Sequence, residues 1–253
     1  MNKGKRKPAV RRTRRSFAER VRTFWILGAL LAFGLAYGLW IGVNLKYFHV
    51  KGIEISGIHR VARSEVAQRA AIRTGTSIWF LDTGAIARRI EAIPYVATAK
   101  VYRAFPATAR IEVVERAPEG CVRSDDGAEL TIDGTRRVLQ RGCRPGGLVY
   151  LPRDVDDTAP GNFIVSADLA RLQRDARTLL VGAKAQLTDF TYDRFGQLEA
   201  RLTDGIRVRF GDEEDLDRKR ALIRPILASL GARAREVRSI DLRAPDTPVV
   251  ERK

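Results

Sequence analysis

The sequence predicts an α+β fold: one membrane span, then a β-α-α-β-β module, then a mostly antiparallel β domain with two helices. Three observations predict it. Residues 24–43 contain no charge, amide or proline. Residues 48–117 pass between two-residue and helical periodicity in the stated order, and residues 118–253 consist of short alternating runs broken by Gly, Pro and Asp. A chain of 253 residues, 45% apolar and 30% charged, has the length for one large core or two small ones and the wrong composition for wholesale disorder.

The run FWILGALLAFGLAYGLWIGV is apolar on every face, unlike a buried soluble helix, and twenty helical residues reach roughly 30 Å, the thickness of the hydrocarbon layer. Trp25 stands near one end and Trp40, Tyr47 and Phe48 near the other, where aromatic rings favour the membrane interface. A cleaved signal peptide is the competing reading. Its apolar core is shorter and ends in a small-x-small site, which Asn44-Leu45-Lys46-Tyr47-Phe48 does not offer. Residues 1–23 hold ten Lys or Arg and one acid, so the positive-inside rule predicts a cytoplasmic basic tail and extracytoplasmic residues 44–253. The same cations are a nucleic-acid signal elsewhere, but directly before a span they are better explained as an orientation signal that touches anionic headgroups. Gly34, Gly38 and Gly42 recur every four residues on one helix face. They form either a groove for a partner helix or the ordinary glycine content of a membrane helix.

In the first module, Phe48 to Gly57 alternates and is predicted to be a strand. A helix capped by Ser64 follows, with Val66, Ala67, Ala70 and Ala71 as its apolar stripe and a break at Thr74-Gly75. Ile78, Trp79, Phe80 and Leu81 are predicted to form a buried segment. Asp82 is the predicted N-cap of a second helix through Ile86, Ile90 and Ile93, stopped by Pro94. Val96 to Phe105 and Thr108 to Glu115 are predicted strands turning at Pro106.

In the second region, Ile132-Asp133-Gly134 marks a hairpin, and Ser166 caps a helix striped by Leu169, Leu172, Ala176, Leu179 and Leu180 that ends at Gly182. Leu187 to Tyr192 is a strand, and Leu198 to Leu202 pairs with Ile206 to Phe210 across Asp204-Gly205. Asp212, Glu213, Glu214 and Asp215 lack the spacing of a calcium loop and are expected to favour the dipole at the start of a helix through Leu216, Ile223, Leu227 and Leu230. Pro225 is expected to kink or split that helix. Val237 to Arg243 is a strand, with Val249 to Glu251 extending the edge.

The chemistry-bearing residues point away from catalysis. His49 and His59 have no carboxylate at ligand spacing and are expected at the surface; G-x-S-x-G, a phosphate-cradling glycine loop and H-E-x-x-H are all missing. Asp125-Asp126 and Asp156-Asp157 lie in loop-like sequence and are expected to be solvated. No enzyme, cofactor, metal or small-molecule substrate is expected. Cys121 and Cys143 lie on the predicted outer side. Either they form a disulfide, whose loop of about 20 residues contributes about 3 kcal/mol on a chain-entropy model, or they remain two free thiols.

The β-α-α-β-β segment resembles a polypeptide-transport-associated (POTRA) domain. The combination of FHVKGIEISGIHRV, GTSIWFLD, IEAIPYVATAKVYRAFPATARIEVVERAP and SIDLRAP resembles the bacterial cell-division FtsQ (DivIB) family. That resemblance implies a non-enzymatic bitopic scaffold of the division machinery at the septum. It implies a POTRA domain nearest the membrane, and a C-terminal strand region that binds FtsB- and FtsL-like proteins, with other septal proteins as further partners. By position it places partner binding at Asp241, Leu242, Arg243, Ala244, Asp246, Val249, Val250 and Arg252. Ala244-Pro245 stands where an aromatic is frequent in the family, and a tryptophan near the C-terminal end is missing. Arg243 is open to two roles, pairing with a partner carboxylate or with one of its own domain. The alternative implied by a POTRA domain is a secretion or assembly module that handles extended polypeptides.

Overall fold

The computed structural model describes residues 17–124, 126–181 and 187–253; most of the basic tail, Asp125 and the predicted helix end at Gly182 lie outside them. The chain divides into two compact units. The first comprises Met1–Glu54, Arg73–Leu81 and Tyr102–Arg110, and the second Ile55–Ile72, Asp82–Val101 and Ile111–Lys253.

Apolar composition builds the first unit's main element, helix α1 (Phe17–Val43). Its stretch Val21–Val43 has a mean hydropathy of 2.0 and none of its most apolar part is buried, as suits a single membrane span. Beyond α1 the chain is tied down by backbone bonds from Val50 N to Thr76 O (2.9 Å) and from Lys51 N to Ala107 O (2.9 Å). The Ser77 hydroxyl donates to the Val43 carbonyl at the end of α1 (3.1 Å). The expected buried run 78–81 is only half buried. Ile78–Phe80 form a 3-10 turn, so Ile78 and Leu81, three apart, face inward while Trp79 and Phe80 face out.

Strands β1 (Gly52–Ser56), β2 (Val96–Ala104) and β3 (Thr108–Glu115) form a sheet in the order β1-β3-β2. In the second unit, α2 (Arg63–Ala70) packs on α3 (Thr83–Glu91). Asp82 caps α3 by accepting from Ala85 N (2.9 Å). Ser64 does not cap α2. The helix starts at Arg63, two residues before a Ser64 cap would place it, with Ala62 in the cap position, and the backbone N–H groups of His59, Arg60 and Val61 just before it donate to Glu115 (2.8 to 2.9 Å). Burial pushes the Glu115 carboxyl up, but these three donors outweigh it and hold the group below the usual carboxylate range.

The rest of the second unit is built on one nine-stranded sheet with two helices. Its strands are β4 (Pro118–Arg123), β5 (Glu129–Asp133), β6 (Val138–Arg141), β7 (Val149–Leu151), β8 (Leu187–Tyr192), β9 (Leu198–Leu202), β10 (Arg207–Gly211), β11 (Val237–Asp241) and β12 (Val249–Arg252). Their order is β12-β11-β10-β9-β8-β7-β4-β5-β6. Most joins are antiparallel, but β4/β7, β7/β8 and β10/β11 are parallel. Two of these follow from the helices: α4 (Ala167–Leu180) carries the chain from β7 to β8 and α5 (Leu216–Leu230) from β10 to β11, and a crossover helix returns a strand parallel.

Ser166 caps α4 by accepting from Leu169 N (2.9 Å) while donating to Asp154. Leu169, Leu172, Ala176 and Leu179 bury one helical stripe in a core shared with Tyr150, Phe190, Val208, Phe210 and Ile240. Helix α5 is not split at Pro225. It runs through, because Pro225 and Ala221, whose carbonyl the missing N–H would have served, are both exposed to water. The acids before α5 do more than favour its dipole: Asp212 holds the buried ammonium of Lys219 (2.7 Å) and Glu213 holds Arg171 (2.9 Å).

Candidate functional site

β12 is the terminal strand of the sheet. It pairs antiparallel with β11 through Asp241↔Val249, Ile240↔Val250 and Ser239↔Glu251, and its other side has no strand neighbour among the described residues. Lys253 N donates inward to Glu236 O (2.8 Å). The two-residue period of an extended strand therefore turns the N–H and C=O groups of Val250 and Arg252 toward the open side.

The turn from β11 into β12 is held by charges. Arg243 bonds Asp241 through Nε and Nη2 at 2.6 to 3.0 Å, so the role it fills here is the intradomain one, with about half of its side chain still exposed. This pairing holds the Asp241 carboxyl below the usual carboxylate range and pushes the Arg243 guanidinium up. Arg218 of α5 bonds Asp246 (2.5 Å), tying down the far side of the turn. Gly211 is required here: its φ is +79° and a Cβ would stand 2.9 Å from Arg243 Cγ.

The predicted partner-binding residues thus come together at one sheet edge, with one correction. Leu242 is fully buried in the core, because it continues β11 with its N–H bonded to Arg209 O (2.8 Å); it positions the turn and has no surface to offer a partner. Arg243, Ala244, Asp246 and Arg252 are exposed, Val249 is 61% exposed, and Val250 packs partly on the core beneath. Gln197, Asp212, Asp241, Arg243, Thr247 and Val249 line a shallow hollow beside this edge.

The remaining candidates lie elsewhere. Cys121 in β4 and Cys143, just after β6, are joined as a disulfide with Cα atoms 5.5 Å apart. A Cβ added at Gly34, Gly38 or Gly42 would meet nothing within 4 Å, so that face of α1 is open in the single chain. His59 is exposed and His49 half-buried, Asp157 pairs with Arg141 (2.8 Å), and Asp126 accepts from Ser124. Among the described residues no group of three or more His, Cys, Asp or Glu is placed to hold a metal ion. Sequence reasoning missed the strap over the opposite sheet edge, where Val138 N donates to Asn162 O (2.9 Å) and Gly161 N to Val138 O (2.8 Å). Its signal was the apolar pair Phe163-Ile164, one residue after Pro160-Gly161, in a stretch given no element from the sequence.

A family model described as POTRA domain, FtsQ-type, matches residues 48–116. The chain is 29% identical over 201 residues to the cell division protein FtsQ of Mycolicibacterium smegmatis, covering 79% of this chain and 56% of that one. It is 27% identical over 256 residues to that of Myxococcus fulvus, covering 94% and 86%. It is 31% identical over 194 residues to that of Syntrophotalea carbinolica, covering 74% and 66%. The chain spans only 56% of the length of the Mycolicibacterium relative and 62% of that of Mycobacterium leprae.

Proposed function

Because the chain belongs to the FtsQ family of cell division proteins, we propose that it is a non-enzymatic, single-pass scaffold of the division machinery, with its N-terminus in the cytoplasm and its POTRA domain (48–117) and β domain (118–253) outside. It recruits FtsB- and FtsL-like partners to the septum by accepting a strand at β12. The observation that carries this reading is the open backbone edge of Val250 and Arg252 at the end of a nine-stranded sheet. An unpaired edge presents N–H and C=O groups in register, so an extended segment of another chain adds to it, while neighbouring side chains select which segment. The exposed Val249 and Arg252 supply that selection, and the Arg252 guanidinium favours an acidic partner. The disulfide between Cys121 and Cys143 suits an oxidising compartment.

The test is capture of an FtsB-like extracytoplasmic segment by the full chain and by its Arg252→Pro variant. Proline removes the outward N–H while leaving the inward bonds to β11, so capture should weaken by about tenfold or more with the fold retained. Equal capture by both forms would move the partner off this edge.

A further inference from the structure

The aromatic residues that leave the membrane helix and those of the 78–80 turn meet on one side of the first unit. Phe48 packs edge-on against Trp79 with ring centroids 5.7 Å apart, Trp79 lies against Phe105 at 4.6 Å, and Tyr47 stacks edge-on to Phe48 at 5.2 Å. In a water-facing domain these rings would be expected to close over one another, yet Tyr47 is 61% exposed, Phe80 69%, Phe105 52% and Trp79 44%. The cluster is bonded directly to the end of α1. Ser77, the residue before the turn, donates to the Val43 carbonyl (3.1 Å), and Lys51, three residues after Phe48, donates to Ala107 O (2.9 Å).

We propose that these rings form a second membrane contact, an aromatic apron of the extracytoplasmic module seated in the headgroup layer of the bilayer that α1 crosses. This rests on the reading of residues 24–43 as a span. The layer between the hydrocarbon and the water is about 5 to 8 Å deep on each side, and the rings begin four residues after α1 ends, at the height of that layer. Amphipathic rings favour that depth, where one edge meets acyl chains and the other meets water. Lys46 and Lys51, both exposed, flank Tyr47 and Phe48 in the chain and suit anionic headgroups. The apron adds a second point of attachment for the first unit, so that the chain leaving α1 is held at the bilayer surface as well as by its covalent link.

The experiment uses the full chain in nanodiscs of phosphatidylethanolamine and phosphatidylglycerol carrying nitroxide-labelled acyl chains. The protein has three tryptophans, so the double variant Trp25→Phe/Trp40→Phe leaves Trp79 as the only indole, and Trp25→Phe/Trp79→Phe leaves Trp40 as the control. The apron predicts that a nitroxide near the headgroup quenches Trp79 about twofold or more over one near the chain end. Quenching of Trp40 without quenching of Trp79 would overturn the apron and leave the span intact. Quenching of neither would overturn the span and the apron with it. Trp79 shielded from aqueous iodide yet unquenched by the labelled lipid would mean that a second copy of the chain covers it, which also overturns the proposal.

Discussion

At one end of the nine-stranded sheet, the start of β6 is covered by its own chain. The segment around Gly161–Ile164 runs beside it, with Val138 bonded to Asn162 and Gly161, Ile164 N bonded to Arg136 O (2.9 Å), and Arg137 bridged to Phe163. The Cys121–Cys143 disulfide spans from β4 past β5 to the end of β6, fastening the same end again. At the other end, β12 is four residues long, is bonded only on its inner side among the described residues, and follows a turn held by surface ion pairs. Edge strands invite pairing by other chains, and proteins usually blunt them. Here one edge is blunted by a strap and a covalent link while the other has no strand neighbour among the described residues, and it is there that the proposed partner strand would add.

Three substitutions break this contrast by degrees. Ile164 belongs to the strap and is almost fully buried in the core, and Ile164→Ala should cost about 3 kcal/mol in urea unfolding and speed amide exchange at Val138, exposing the β6 edge. A loss under about 1 kcal/mol with Val138 still protected would mean the strap is not what closes that edge. Cys143→Ser removes the disulfide and should cost about 2 to 3 kcal/mol without altering partner capture, since the bond lies away from β12; measured under oxidising and reducing conditions, the difference between variant and parent should vanish in the reduced sample. Asp241→Asn has the smallest expected effect, about 0.5 to 1 kcal/mol, because the Arg243 side of the pair it weakens is about half exposed to solvent. Its pH dependence is the sharper readout. Asp241 titrates below its ordinary value in the folded chain, so its stabilisation is complete above that value and disappears as the pH falls through the folded one. Parent and variant stabilities should therefore converge on acidification below about pH 4, and a constant difference down to pH 2 would contradict the pairing.

Much of this architecture was legible from residue patterns. Asp82 and Ser166 cap where capping chemistry predicts, and the Asp204-Gly205 hairpin joins the strands that alternate on either side of it. The failures have separate causes, some local and some long-range. Ser64 had the right chemistry for a cap, but Ala62 takes that position, its carbonyl accepting from Glu65 N and Val66 N, and Glu115, more than fifty residues away, fixes the chain just before it. Trp79 and Phe80 were assigned to a core on hydrophobicity alone, which does not register that a three-residue turn sends only every third side chain inward. At the candidate site the cluster 241–252 was placed from a family resemblance. The fate of its members depended on tertiary geometry: Leu242 went to the core and Arg243 to its neighbour Asp241, neither of which the order of residues specifies.

The most direct test of the open edge is backbone amide exchange of the full chain with and without an FtsB-like extracytoplasmic segment. The outward N–H groups of Val250 and Arg252 should exchange rapidly in the free protein and slow by about tenfold or more in the complex, while the β6 edge is unchanged. Protection appearing along β6 or in the 48–117 module, with Val250 and Arg252 still exchanging freely, would contradict strand addition at β12.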